Sequence, residues 1–196
     1  MIYRLTKCNE LCLGIFCTVL PGSNIKAETL AKGKPVETSR KNGAVSVLLG
    51  HVIASKTDSP LVDDDSMDYP KDWESEHPKP SKLGHMEAGR TIALHSVAIL
   101  PAFQKRGLGR ILMMCYMQTM NGAGIADRLA LIAHDVSRAS ILRYSCVMPE
   151  LTLLQHKLQW YEKLAFINKG RSECTFCNGG WYDMVSSSPS RKKTSN

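Results

Sequence analysis

An apolar run, Thr91 to Leu100, breaks at Pro101, and the chain then reads Gln104-Lys105-Arg106-Gly107-Leu108-Gly109-Arg110 before an amphipathic stretch begins. That stretch, Gly107 to Asn121, carries apolar residues at Leu108, Ile111, Leu112, Cys115 and Met120, the period of a helix, with Asn121-Gly122 as its stop signal. Strand, glycine turn and helix in immediate succession commit this part of the chain to an α/β unit. Two glycines one residue apart let the backbone turn tightly, so that free N–H groups and the positive end of the helix dipole face outward together. Such a turn can cradle a pyrophosphate, and Lys105, Arg106 and Arg110 add charge that suits it. A dinucleotide fingerprint wants a third glycine where this chain has Leu112, and a P-loop wants Gly-Lys-Ser/Thr; neither is present. Taken alone, the glycine pair is equally explained by a plain strand-to-helix turn.

The rest of the chain organises around this unit. Leu11 to Leu20 is a short apolar strand ending at Pro21-Gly22, and Ala44 to Ser55 is a second. Residues 57–90 hold four of the nine prolines and read as a long irregular loop. Arg128 to His134 is a further strand, and Ser172 to Val185 a hairpin turning at Asn178-Gly179-Gly180. With 196 residues the chain suits one core, placed at residues 1–185, followed by a Ser-rich and basic tail, residues 186–196, expected to be disordered.

Charge and cysteines narrow the function classes. Residues 57–76 hold eight acids (Asp58, Asp63, Asp64, Asp65, Asp68, Asp72, Glu74, Glu76) against Lys71, so a net charge of +7 divides into −7 here and +14 elsewhere. The acidic stretch is a candidate for steering cationic amines, or a solvated loop. Seven cysteines, an odd number, argue for a reducing, cytoplasmic compartment over a disulfide framework. Leu11 to Leu20 is too short to span a membrane, and Glu10 and Pro21 fit a signal peptide poorly. Cys174-x-x-Cys177 has zinc-ligand spacing but lacks a second pair, so no metal is expected. The basic charge lacks any RNA-binding signature, so no nucleic-acid partner is expected.

Gln104-x-x-Gly107-x-Gly109, following Leu94-His95-Ser96-Val97-Ala98-Ile99-Leu100-Pro101, resembles the acetyl-CoA signature of the GNAT acetyltransferase superfamily. Within it, Leu94 to Val97, the strand end Leu131 to Asp135, and Tyr161-Glu162-Lys163-Leu164-Ala165-Phe166 look like the arylalkylamine N-acetyltransferase branch, which includes fungal polyamine acetyltransferases. The resemblance implies a fold of α/β (α+β) class with a mixed, largely antiparallel sheet and flanking helices. It also implies direct transfer of an acetyl group from acetyl-CoA to a primary amine, an arylalkylamine or a polyamine, by a monomer. Val97, Ala98 and Ile99 would line the thioester end, with a backbone N–H there meeting the oxyanion. Gln104 and the run Lys105, Arg106, Gly107, Leu108, Gly109 and Arg110 would hold the pyrophosphate, while the strand Arg128 to His134, splayed from its neighbour, would help grip the pantetheine arm.

Amine transfer needs a base, because an alkylamine of pKa about 10 is almost wholly protonated at pH 7. Histidine removes such a proton well. His95 matches one histidine of the family's His-x-His pattern, the other position being Ala93, and His134 is a second candidate. The alternative for His95 is a structural histidine. Tyr161 matches the family's tyrosine, the proton donor to the departing thiolate; the alternative is a tyrosine packed on Trp160. Two departures stand out. The 25 residues Val136 to Trp160 separate Asp135 from Tyr161 where the family has a handful, an atypical insertion. The family's N-terminal strand and helices, expected before Arg4, are also lacking. Both imply a second possibility, an acyl-CoA-binding variant with weakened or absent catalysis.

Overall fold

The computed structural model describes residues 1–134 and 158–187. Helix α1 (Ile2–Lys7) leads into β1 (Leu13–Val19), and α2 (Ala27–Lys32) and the short β2 (Val36–Glu37) precede the long β3 (Val45–Thr57). Then come α3 (Asp64–Met67), β4 (Thr91–Ile99), α4 (Leu108–Ala123), β5 (Arg128–Ala133), α5 (Leu158–Glu162), β6 (Ile167–Arg171) and β7 (Tyr182–Ser187). The strands form one sheet in the order β1-β3-β4-β5-β7-β6, with β2 paired on β3. Only β4 and β5 run parallel among these pairs, so the fold is a mixed, mostly antiparallel α+β sheet with helices. Among the described residues no helix is long and apolar enough to cross a membrane.

Each face of the sheet carries its own cluster. Ile92, Leu94, Val97, Ile99, Leu129, Leu131 and Met184 pack with Leu112, Met113, Tyr116 and Met120 of α4. The opposite face joins Ala93, Ala130, Ile132, Trp181 and Val185 to Val62 and Cys174 from the flanking loops. β4 is buried along almost its whole length because it is central and covered on both sides, which is why its sequence is a continuous apolar run rather than an alternation.

Three sequence expectations need correction. Helix α4 passes Asn121-Gly122 and ends at Gly124, which takes φ +64 and donates its N–H to the Met120 carbonyl; both glycines are compatible with a stop, but only Gly124 adopts the left-handed cap. The hairpin strand expected from Ser172 lies earlier, at β6, and residues 172–181 form the connection. Cys177 (φ 51) and Asn178 (φ 72) take the left-handed region there, as do Gly179 and Gly180, so the segment cannot follow a ladder. β7 continues through Ser187, with Ser186 buried and paired to Leu129, so two residues assigned to the tail belong to the sheet. The remainder of the tail and residues 135–157, most of the insertion, lie outside the described residues.

Candidate active site

The turn into α4 has the geometry its sequence implies. Gly107 sits at φ +79 as the N-cap, and a Cβ there would meet nothing within 4 Å, so glycine is required for backbone conformation rather than for room. Lys105 shares the left-handed region at φ 59. The first helical bond runs from the Ile111 N–H to the Gly107 carbonyl at 3.1 Å, which leaves the N–H groups of Leu108, Gly109 and Arg110 ahead of the helix ladder. Lys105, Arg106 and Arg110 are exposed around that end, and the Arg106 guanidinium lies 5.5 Å over the Phe103 ring. Gln104 has a positioning job besides: its side-chain amide donates to the Ile99 carbonyl at 2.9 Å, tying the turn to the end of β4.

β4 and β5 pair only at Thr91↔Arg128, Ile92↔Leu129 and Ala93↔Ala130. Beyond Ala93 the strands part, while β4 stays bonded to β3 as far as Gly50↔Ile99. Among the described residues β5 offers no pairing to β4 beyond Ala93, which leaves a slot of backbone polarity leading to the N-terminus of α4. Val97, Ala98 and Ile99 are buried beside it. Gly50 permits the close approach of β3, since a Cβ there would collide with the Ala98 carbonyl and the Ile99 side chain.

His95 stands where the strand pattern is interrupted. The β3–β4 register passes from Ile53↔Ser96 to Ala54↔Leu94, so His95 is the extra residue of a β-bulge. Bulges re-aim a side chain and are common beside active sites. Nε2 of His95 lies 2.7 Å from the Ser55 hydroxyl and Nδ1 lies 3.3 Å from the Met67 sulfur. Burial pushes its pKa well below the ordinary histidine value, with the Arg4 guanidinium and the N-terminal amine acting in the same direction. The ring is thus neutral at pH 7, the form a base needs, but the same burial weakens its hold on a proton, and with a partner at each ring nitrogen the geometry also fits a structural histidine. On β3, His51 Nε2 lies 3.0 Å from the Ser96 hydroxyl, a second half-buried histidine beside the bulge that no spacing in the sequence singles out.

His134, just past β5, stacks on Trp181 at 3.7 Å between ring centroids. Tyr161 is fully buried, edge-on to Trp160 and Phe166, and belongs to the cluster on the α4 face. Its hydroxyl has no hydrogen-bond partner among the described residues, and burial raises its pKa, which keeps the phenol protonated. His95 and Tyr161 are not side by side. His95 meets Met67, which packs with the cluster on the other face, so the two are on opposite sides of the sheet.

The acidic segment is docked. Asp63 caps α3 through the Ser66 N–H, Asp68 bonds Lys71 and the Tyr69 N–H, and Asp72 accepts from the Lys79 N–H. Asp64 accepts from Thr175 and Phe176. These bonds fix four of the eight carboxylates in place, and of those four only Asp68 is paired with a cation among the described residues, while Asp58, Asp65, Glu74 and Glu76 are exposed; only the Asp63-x-x-Ser66 cap was readable locally. Among the described residues no group of three metal-ligating side chains occurs, and the Cys174 thiol bonds Asp64 instead.

Solved structures similar to this chain include the loading GNATL domain of CurA from Lyngbya majuscula, 16% identical, covering 72% of this chain and 71% of that one, with a TM-score of 0.47. The ribosomal-protein-S18-alanine N-acetyltransferase from Escherichia coli is 11% identical over 94% of this chain and 99% of its own, TM-score 0.40. A GNAT family acetyltransferase from Elizabethkingia anophelis with acetyl-CoA bound is 12% identical, covering 88% and 97%, TM-score 0.40. No curated protein matches the chain. The sequence profile of the Acetyltransferase (GNAT) family matches residues 46–146, which is 101 of the 196 residues and takes in β3, β4, the glycine turn, α4 and β5. On that match, the chain belongs to the GNAT family of acetyltransferases.

Proposed function

We propose that the chain transfers the acetyl group of acetyl-CoA to a primary amine of the arylalkylamine or polyamine kind. The observation that carries this reading is the β4 edge beyond Ala93, which β5 does not pair among the described residues and which runs past the His95 bulge to the open N-terminus of α4. Pyrophosphate would lie on the N–H groups of Leu108 to Arg110, with Lys105, Arg106 and Arg110 beside it, and the pantetheine arm would complete the β4 edge. Neutral His95 takes the ammonium proton, directly or through water. The amine nitrogen attacks the thioester carbonyl carbon, and the resulting oxyanion is met by a backbone N–H in the Val97 to Ile99 run. As the C–S bond breaks, the Tyr161 hydroxyl gives its proton to the thiolate, the second proton of the attacking nitrogen passes through water to restore the phenol, and an N-acetylamine and CoA leave.

The separation of the two proton-handling groups supports this order of events. The acceptor approaches from the His95 face and the thiol from the Tyr161 face, and they meet where β4 and β5 part. Among the described residues, the free thiols of Cys8, Cys12, Cys17, Cys115 and Cys174 suit a cytoplasmic enzyme. The test is a thermal-shift titration with acetyl-CoA followed by thiol-release assays over a panel of amines. Stabilisation by acetyl-CoA with turnover of tryptamine or spermidine is the expected result. Absence of any acetyl-CoA effect would overturn the reading.

A further inference from the structure

We infer that Asp64 is a positioning residue for the amine acceptor: it latches the turn before β7 onto α3, so that two loops distant in sequence, one against His95 and the other against the Trp181–His134 pair, are held as one wall. The inference rests on the acetyltransferase reading above. Oδ1 of Asp64 accepts from the Thr175 N–H at 2.8 Å, the Phe176 N–H at 3.0 Å and the Cys174 thiol at 3.2 Å, while Oδ2 accepts from the Thr175 hydroxyl at 2.8 Å. These donors, the Thr175 hydroxyl first, hold the carboxyl below its usual range.

Both partners of the latch reach the site. On one side, α3 is fixed at its start by the Asp63 cap and at its end by the buried Arg4, whose Nη2 donates to the carbonyls of Ser66, Met67 and Asp68 at 3.2, 2.8 and 3.3 Å. That fixing sets Met67 against His95. On the other side, the carbonyl of Phe176 accepts from the Trp181 indole at 2.6 Å, and Trp181 carries the His134 ring. One carboxylate therefore couples the supports of both candidate histidines. The turn it holds is strained, with Cys177 and Asn178 both at positive φ without being glycine, so it needs bonds from outside to keep its shape.

Asp64 itself is exposed, which confines its effect to the wall rather than to the core. Removing hydrogen bonds of this kind should change acceptor binding about threefold to tenfold. The test compares wild type, Asp64→Asn, Asp64→Ala and Thr175→Val in initial-rate kinetics with acetyl-CoA and tryptamine or spermidine, alongside amide hydrogen exchange at Thr175 and Phe176. Asp64→Ala should raise the KM for the amine by that factor and speed exchange at both amides while leaving the KM for acetyl-CoA unchanged. Asp64→Asn, which keeps an acceptor oxygen, should fall between, as should Thr175→Val, which removes one of the four donors, and the double variant Asp64→Ala with Thr175→Val should be no worse than Asp64→Ala alone. Unchanged amine KM in an active Asp64→Ala protein would overturn the latch alone, as would equal rises in both KM values. A wild-type chain without acetyl-CoA-dependent turnover would overturn the acetyltransferase reading, and the acceptor role of Asp64 with it.

Discussion

Replacing Gly107 by alanine separates the backbone of the turn from everything around it. At φ +79 an L-residue costs about 1–2 kcal/mol. A Cβ there meets nothing within 4 Å, so no collision adds to that cost. If the turn keeps its shape, the folded state loses this energy, and Tm falls by about 2–8 °C at about 2–4 °C per kcal/mol for a chain of this size. If the turn instead relaxes to negative φ, the N–H groups of Leu108 to Arg110 swing away from a bound pyrophosphate, and CoA affinity falls by the same free energy, about 5- to 30-fold. Gly122 is the internal control. It lies within α4, outside the left-handed region, with nothing within 4 Å of a built Cβ. Gly122→Ala should therefore stabilise by about 0.5–1 kcal/mol and leave CoA affinity alone. Calorimetric titration with CoA and thermal melts of the three proteins decide the matter. A Gly107→Ala protein that melts and binds CoA like wild type would refute the reasoning, and equal losses of affinity in both variants would move the effect from the turn to the helix.

Three other outcomes follow from the site. His95→Gln should lose most of its amine turnover at pH 7 and recover partly as pH approaches the amine's own pKa; a loss independent of pH would remove His95 as base. Because the folded His95 pKa is depressed, its neutral form supports stability above about pH 6.5, and that support is lost as pH falls through the folded value, so His95→Gln should flatten the acid side of the Tm profile. Tyr161→Phe should slow turnover about 100-fold or more while Tm stays level or rises, since the hydroxyl it removes has no partner among the described residues; a fall in Tm with normal turnover would mark a structural tyrosine. Asp183 is buried with Oδ1 lacking a partner among the described residues, and desolvation raises its pKa. A raised carboxyl pKa makes the folded state less stable above it, so Asp183→Asn should raise Tm at pH 7, with the gain shrinking as pH falls toward about 4; an unchanged or lower Tm at pH 7 would contradict this.

What the sequence made legible is what neighbouring residues decide together. The apolar runs 11–20, 44–55, 91–100 and 128–134 became Leu13–Val19, Val45–Thr57, Thr91–Ile99 and Arg128–Ala133, because each is long enough and apolar enough to be buried on both faces or one. The Gln104 to Arg110 turn was readable for the same reason: strand, proline, glycines and helix lie in one segment. β6 was missed because Ile167-Asn168-Lys169-Gly170-Arg171 is mostly polar and exposed, an edge strand made by pairing to β7 rather than by any pattern of its own. The charge of residues 57–76 was plain, but its use was not, because Asp64 finds its partners at Thr175 and Phe176 and α3 finds Arg4.

The bulge at His95 shows why a site can be hidden inside a legible strand. Ile92 and Leu94 face α4, and so do Val97 and Ile99. An uninterrupted strand, whose side chains alternate from face to face, cannot place both pairs on one side. One residue has to be added between them, and His95 is that residue. Every position of β4 except His95 is buried, so the run reads as apolar throughout and conceals the change of phase; the register belongs to two strands and is invisible in one. The same extra residue keeps the α4 core continuous and turns an imidazole toward Met67 on the opposite face, just after the last residue at which β4 is still paired with β5. Packing on the α4 face and the turn of the imidazole to the other face are thereby satisfied by a single insertion, close to the point where β4 leaves β5.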